Sequence, residues 1–140
     1  MIEKIDHIGI LVSDLESQCA LYEELGMTVG TIETVEGFGV EIAFLPVGGS
    51  LVELIEPIDL DTELAAALAA APGEAFLHHV AYRVSDIDEQ LAELKAKGIP
   101  LADEEPRPGG AGARIAFVDD SAFGGVAIEL IERESDLTFE

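Results

Sequence analysis

His7-Ile8-Gly9-Ile10-Leu11-Val12-Ser13-Asp14, close to the start of the chain, returns 72 residues later as His79-Val80-Ala81-Tyr82-Arg83-Val84-Ser85-Asp86. The same offset carries on to Gly26 and Gly98. Further out, Val52-Glu53-Leu54-Ile55-Glu56 recurs as Ile128-Glu129-Leu130-Ile131-Glu132, now offset by 76 residues. Each half therefore contributes one histidine on an early strand and one glutamate on a late strand. Alone, a histidine in an apolar strand is more often structural than a ligand, and a strand glutamate is more often solvent-facing. The repetition reverses that weighting. Four such side chains suffice to hold a divalent ion while leaving positions for water or substrate.

Around that repeat, each half reads as strand, helix and three further strands. Ile5 to Val12 alternates His7, Gly9 and Leu11 with Ile8, Ile10 and Val12, which places the two sets on opposite faces of a strand. Ser13-Asp14 supplies cap chemistry for a helix over about Leu15 to Leu25, with Leu15, Cys19 and Tyr22 at helical spacing and Gly26 as its stop. Met27 to Glu36 is assigned as a strand. Val40 to Leu45 is another, in which Glu41, Ala43 and Leu45 share one face. A turn at Pro46 to Ser50 returns the chain through Leu51 to Glu56, where Leu51, Glu53 and Ile55 face together. Glu53 is thereby the candidate ligand, and Glu56 the edge or surface residue.

Asp61-Thr62 starts a second helix through the alanine-rich Leu64 to Ala71 segment, stopped by Pro72-Gly73. Adjacent residues on a strand point to opposite sides, so only one of His78 and His79 joins a given site. The register with His7 selects His79. Ser85-Asp86 opens a helix with Ile87, Leu91 and Leu94 as its apolar stripe and Gly98 at its end. Residues 103 to 112 have the composition of a mobile rim. Ala113 to Val118 resumes a strand, and Val126 to Ile131 is the last, presenting Glu129 beside Ala127 and Ile131. Gly112 to Phe117 echoes Gly39 to Phe44, with Arg114 where the first half has Glu41.

The 140 residues make one domain with a shared core: module one spans about 3 to 57, a linker about 58 to 75, and module two about 76 to 134. The expected class is α+β, with tandem βαβββ modules forming one metal-containing cleft. Cys19 has no cysteine to pair with and reads as a small buried apolar residue. Asp and Glu number 29 against 7 Lys and Arg, a formal charge of -22. That field repels nucleic acid and anionic membranes. It suits a salt-rich cytoplasm, where self-repulsion is screened. No apolar stretch is membrane-sized and no cationic leader precedes Asp6, so a cytoplasmic protein is expected.

The segments Asp6-His7-Ile8-Gly9-Ile10, Ala43-Phe44-Leu45-Pro46, Val52 to Pro57, Leu77 to Ala81, Asp103 to Gly109 and Gly124 to Leu130 resemble the methylmalonyl-CoA epimerase family. That family belongs to the vicinal oxygen chelate superfamily, alongside glyoxalase I and extradiol dioxygenases. The likeness spans nearly the whole chain. It implies the glyoxalase-like fold, an acyl-CoA substrate, and interconversion of (R)- and (S)-methylmalonyl-CoA by metal-assisted C2 proton abstraction through an enolate. His7, Glu53, His79 and Glu129 match the metal positions, where some relatives carry glutamine at Glu53. Cobalt, manganese, zinc and nickel all suit such donors. Glu41 matches a glutamate proposed as base in one branch, with Glu129 as the alternative proton carrier. Arg107 and Arg114 are candidates for CoA phosphate or substrate carboxylate contacts. Ser121 is either a donor to substrate oxygen or a turn cap. A homodimer is expected. A glyoxalase I-type lyase would use the same four ligands, and a non-enzymatic small-molecule binder the same fold.

Overall fold

Two helices begin the same way, because an aspartate lies three residues ahead of a backbone N–H that needs a partner. Asp14 accepts from Ser17 N at the start of α1 (Leu15–Leu25), and Asp86 accepts from Glu89 N at the start of α3 (Ile87–Ala96). Both are N-caps with extended backbone. The helix α1 ends at Gly26 in the left-handed region, φ 118°, where a side chain would be strained. The short α2 (Glu63–Ala70) is capped by Thr62, whose hydroxyl accepts from Ala65 N.

The computed structural model describes residues 1–139. Its strands are β1 (Ile2–Val12), β2 (Thr31–Val35), β3 (Val40–Val47), β4 (Ser50–Pro57), β5 (Ala75–Val84), β6 (Arg107–Pro108), β7 (Arg114–Phe117) and β8 (Ile128–Glu132). The class is the α+β repeat expected. Glu36, assigned above to a strand, instead opens a short 3-10 turn, Glu36–Phe38, closed by Gly39 at φ 62°. Within the supposed mobile rim, Arg107–Pro108 pairs with β7 and Gly110–Gly112 forms a 3-10 turn.

The chain divides into two compact units, with β1 and β5 passing through both. One comprises residues 1–7 and 79–136. In it β8 runs parallel to β5 and antiparallel to β7, with β6 beyond. One face of these strands packs Val84, Ala116, Val118 and Leu130 on Ile87 and Leu91 of α3. The other unit comprises residues 8–78 and 137–139. Here β2, β3 and β4 form an antiparallel meander, and Val12, Ala43, Leu45, Val52 and Leu54 pack on Leu15 and Cys19 of α1. In each unit the strands thus have a helix-covered face whose apolar burial holds that unit together. The site residues are distributed by which face they take. No helix is long and apolar enough to cross a membrane among the described residues.

Candidate metal centre

Strand alternation decides what the sheet offers on the side away from each helix. In β5, Tyr82 and Val84 pack toward α3, so His79, Ala81 and Arg83 take the opposite face. In β8, Leu130 packs toward α3, which turns Glu129 and Ile131 the same way as His79. The register confirms the grouping, with Ala81 opposite Glu129 and Phe117 opposite Glu129. In β1, Ile8, Ile10 and Val12 pack toward α1, leaving His7 on the alternate face.

His7, His79 and Glu129 converge as the repeat foretold. His7 Nε2 lies 3.1 Å from His79 Nε2, with the rings edge to face at 84°. Glu129 brings Oε2 to 3.2 Å from His7 Nε2 and Oε1 to 3.8 Å from His79 Nε2. All three are at most 5% exposed. Burial alone would push the Glu129 carboxyl upward, but the charges of His7 and His79 outweigh it and hold Glu129 below its usual range. Phe117 meets His79 edge-on and limits its movement.

These donors fit a divalent ion. Two nitrogens each about 2.1 Å from one ion, at angles between octahedral and tetrahedral, stand roughly 3.0–3.4 Å apart, and the observed spacing falls in that interval. Glu129 Oε2 is buried and, despite its proximity to His7, makes no hydrogen bond. A buried charged oxygen without a donor is costly unless a cation compensates it. Imidazole and carboxylate ligands suit several first-row metals, so the donor set leaves the ion's identity open.

Glu53 is buried on β4, directly opposite Phe44 in the register. It takes the β4 face opposite that of Val52 and Leu54, which pack toward α1. His78 sits half-buried against Phe76, on the other side of β5 from His79. Glu56, expected at the edge or surface, is half-buried, and its Oε1 accepts from Leu15 N at 2.7 Å, at the first turn of α1.

Two expectations are corrected by the alternation. Glu41 shares a β3 face with Ala43 and Leu45, which pack beneath α1, and pairs across with Glu56. It therefore lies on the opposite side of the sheet from Glu53, and is no base for chemistry there. Arg114 also takes a helix-covered face, where Nη2 donates to Asp88 at 3.0 Å and Nη1 to Glu132 at 3.2 Å. Those bonds raise its pKa further and commit it to the α3 side. Ser121 takes its turn alternative: Asp119 caps the turn, its Oδ1 accepting from the Ser121 hydroxyl at 2.8 Å and from the Ser121 N–H at 3.0 Å. Arg107 is different. It stands opposite Ile115, which stands opposite Ile131, placing it on the Glu129 face at the sheet edge, half-exposed near Asp103. Cys19 is buried, and burial together with Glu23 and Glu41 pushes its thiol up, so it is inert.

Reading the sequence by repeats missed Asp6, Arg83 and Arg133, which meet behind His7. Asp6 is 1% exposed. Its burial penalty is outweighed by hydrogen bonds from His7, Arg133 and Arg83, which hold the carboxyl far below the usual range. One signal was available: Arg83 interrupts an apolar strand, and a buried guanidinium demands an anionic partner.

Helix-backed strands whose outer faces present paired histidine and glutamate donors define a metal-dependent member of a duplicated α+β class. Residues 6–117 match the Glyoxalase/Bleomycin resistance protein/Dioxygenase superfamily, and the chain belongs to it. It is 37% identical to the uncharacterized protein YqjC of Bacillus subtilis, over 95% of this chain and 94% of that one. It is 32% identical to the ethylmalonyl-CoA/methylmalonyl-CoA epimerase of Cereibacter sphaeroides, over 93% and 98%. Among solved structures, a methylmalonyl-CoA epimerase in complex with methylmalonyl-CoA and NH4+ superposes with a TM-score of 0.88 at 32% identity, covering 99% of each chain.

Proposed function

We propose that this chain is a methylmalonyl-CoA epimerase, interconverting the (R) and (S) forms by removing and returning the C2 proton through an enolate. The observation that carries the reading is the buried His7, His79 and Glu129 triad, present in a chain that matches a substrate-bound epimerase over its full length. His7, His79 and Glu129 would hold a divalent ion, and Glu53 would serve as its fourth ligand. Glu53 is assigned by equivalence: it stands opposite Phe44 as Glu129 stands opposite Phe117. When bound, the ion supplies the positive charge that a thioester carbonyl needs if the adjacent C–H is to ionise.

The chain's own residues do the rest. The two imidazoles present their Nε2 atoms, 3.1 Å apart, and orient the donor set. Glu129 is the proton carrier: its buried Oε2 stands 3.2 Å from His7 Nε2, on the face where the substrate would be held. Phe117 and the apolar residues of the same face exclude water around it, which strengthens each charge interaction. Arg107, at the edge of that face, is the anion contact for the acyl-CoA. The proposal includes a homodimer in a salt-rich cytoplasm, consistent with the charge of -22. Light scattering across a salt series tests both.

The deciding experiment incubates metal-loaded protein with one stereoisomer of methylmalonyl-CoA in deuterated water. Loss of stereochemical purity with deuterium at C2 is the expected result. Retention of both the stereocentre and its proton, with the ion bound and the protein folded, overturns the reading. Turnover of a glutathione hemithioacetal instead would reassign the chain to the lyase branch.

A further inference from the structure

Behind the ligand face, a charge network reaches from the surface to His7. Asp6 Oδ2 lies 2.7 Å from His7 Nδ1. Asp6 Oδ1 accepts from Arg83 Nε at 3.1 Å, Arg83 Nη2 at 2.8 Å and Arg133 Nε at 3.0 Å. Oδ2 also accepts from Arg133 Nη2 at 3.0 Å. The Arg83 guanidinium goes on to Asp136 through Nη1 at 2.7 Å, and Lys4 meets the same Asp136 oxygen at 3.4 Å. Asp6, Arg83 and the Arg133 side chain are all buried.

We infer that Asp6, clamped by Arg83 and Arg133, is a positioning residue that fixes the tautomer and orientation of His7. This rests on the reading of His7 as a metal ligand. The reasoning is an inventory of donors and acceptors. A carboxylate facing two guanidinium forks is ionised, and an ionised carboxylate only accepts. His7 Nδ1 must therefore be the donor in the 2.7 Å contact. A neutral imidazole that donates from one nitrogen presents a lone pair at the other, so Nε2 is left aimed at His79 and Glu129. The arginines add two things that an isolated carboxylate lacks. Arg133 spans both carboxyl oxygens side-on while both Arg83 nitrogens hold Oδ1, which together fix the plane of the Asp6 carboxyl, and hence the ring it holds. Two positive charges against one negative also keep that carboxyl from drawing the Nδ1 proton away. Partners of this kind behind a metal-binding histidine commonly set affinity by about 10- to 100-fold.

A purely structural ion cluster would stabilise the strands without caring which nitrogen of His7 carries the proton. Nitrogen NMR of histidine-labelled, zinc-loaded protein separates the two: His7 should be protonated at Nδ1 and zinc-bound at Nε2. The reverse assignment overturns the inference. Asp6→Asn is expected to lower zinc affinity by about 10- to 100-fold in chelator competition, while circular dichroism shows the fold retained. Equal affinity in that variant also overturns it. If Asp6→Asn does not fold, because two buried guanidiniums lose their partner, the wild-type spectrum decides alone. Failure of the metal reading looks different: wild-type protein then binds no zinc, or binds it equally well after His7→Ala.

Discussion

The two helix-backed halves share a register and differ in charge. In one, Glu56 opposes Glu41 across β3 and β4 and caps α1 through Leu15 N. In the other, Glu132 opposes Arg114 across β7 and β8 and caps α3 through Ile87 N at 3.1 Å. Position for position the backbone job is the same: a strand glutamate supplies an acceptor to the first turn of its helix, where the dipole welcomes negative charge. The cross-strand neighbour has diverged. Arg114 neutralises Glu132 and reaches Asp88, whereas Glu41 repels Glu56. The difference teaches that duplication preserved what strand pairing and helix capping require, and left side chains beside the helices free to change. The same holds on the opposite faces, where Phe44 with Glu53 matches Phe117 with Glu129.

The largest effect expected is on the ligand faces. Glu129→Gln should cut epimerisation by about 10²- to 10³-fold, the loss typical when a principal charge-stabilising group is removed. Metal analysis of the purified variant should show the bound ion reduced as well. If Glu53→Gln falls equally far, the two halves contribute as equals; if it retains most activity, the second carboxylate is dispensable and the halves are functionally unequal. Chelation should abolish activity and added divalent ion restore it, without unfolding either half.

Next come the helix caps. Glu132→Ala removes both a capping acceptor and the partner of Arg114, and should cost roughly 1–2 kcal/mol in denaturant unfolding. Glu56→Ala removes the same cap but also relieves the repulsion from Glu41, so its cost should be smaller. Equal losses would break the comparison. Smaller again, Glu41→Arg should install the ion pair its counterpart already has and stabilise the protein by about 0.2–1 kcal/mol. Turnover should stay unchanged, because that face lies under α1. A Glu41→Gln variant that loses turnover would restore it as the base and contradict the strand alternation. The smallest effect is a salt response. Screening in molar salt should slow amide exchange in β3 and β4 by a few-fold relative to β7 and β8, since only the former pair opposes like charges.

Much of this was legible in the linear chain because strands alternate with period two and helices stop at particular residues. His7 and His79 were picked out by repetition, and the helix bounds by Asp14, Gly26 and Asp86. Glu36 was misassigned because its neighbours favour strand locally while Gly37 and Gly39 permit a turn. Glu41 failed for a subtler reason. Alternation correctly grouped it with Ala43 and Leu45, but a period of two names two faces without saying which one a helix will cover.

By itself, then, the sequence determined the repeat, the strand and helix order, and the recurrence of one histidine and one glutamate in each half. These follow from local periodicity and cap chemistry, which nearby residues dictate. Only tertiary structure decided which faces the helices occupy. It also showed that Arg114 and Glu41 belong to those covered faces, and that Asp6 meets Arg83 and Arg133 behind His7. Such contacts join residues 77 and 127 positions apart, and no local rule reaches that far: a buried charge announces only that it has a partner, and folding selects which.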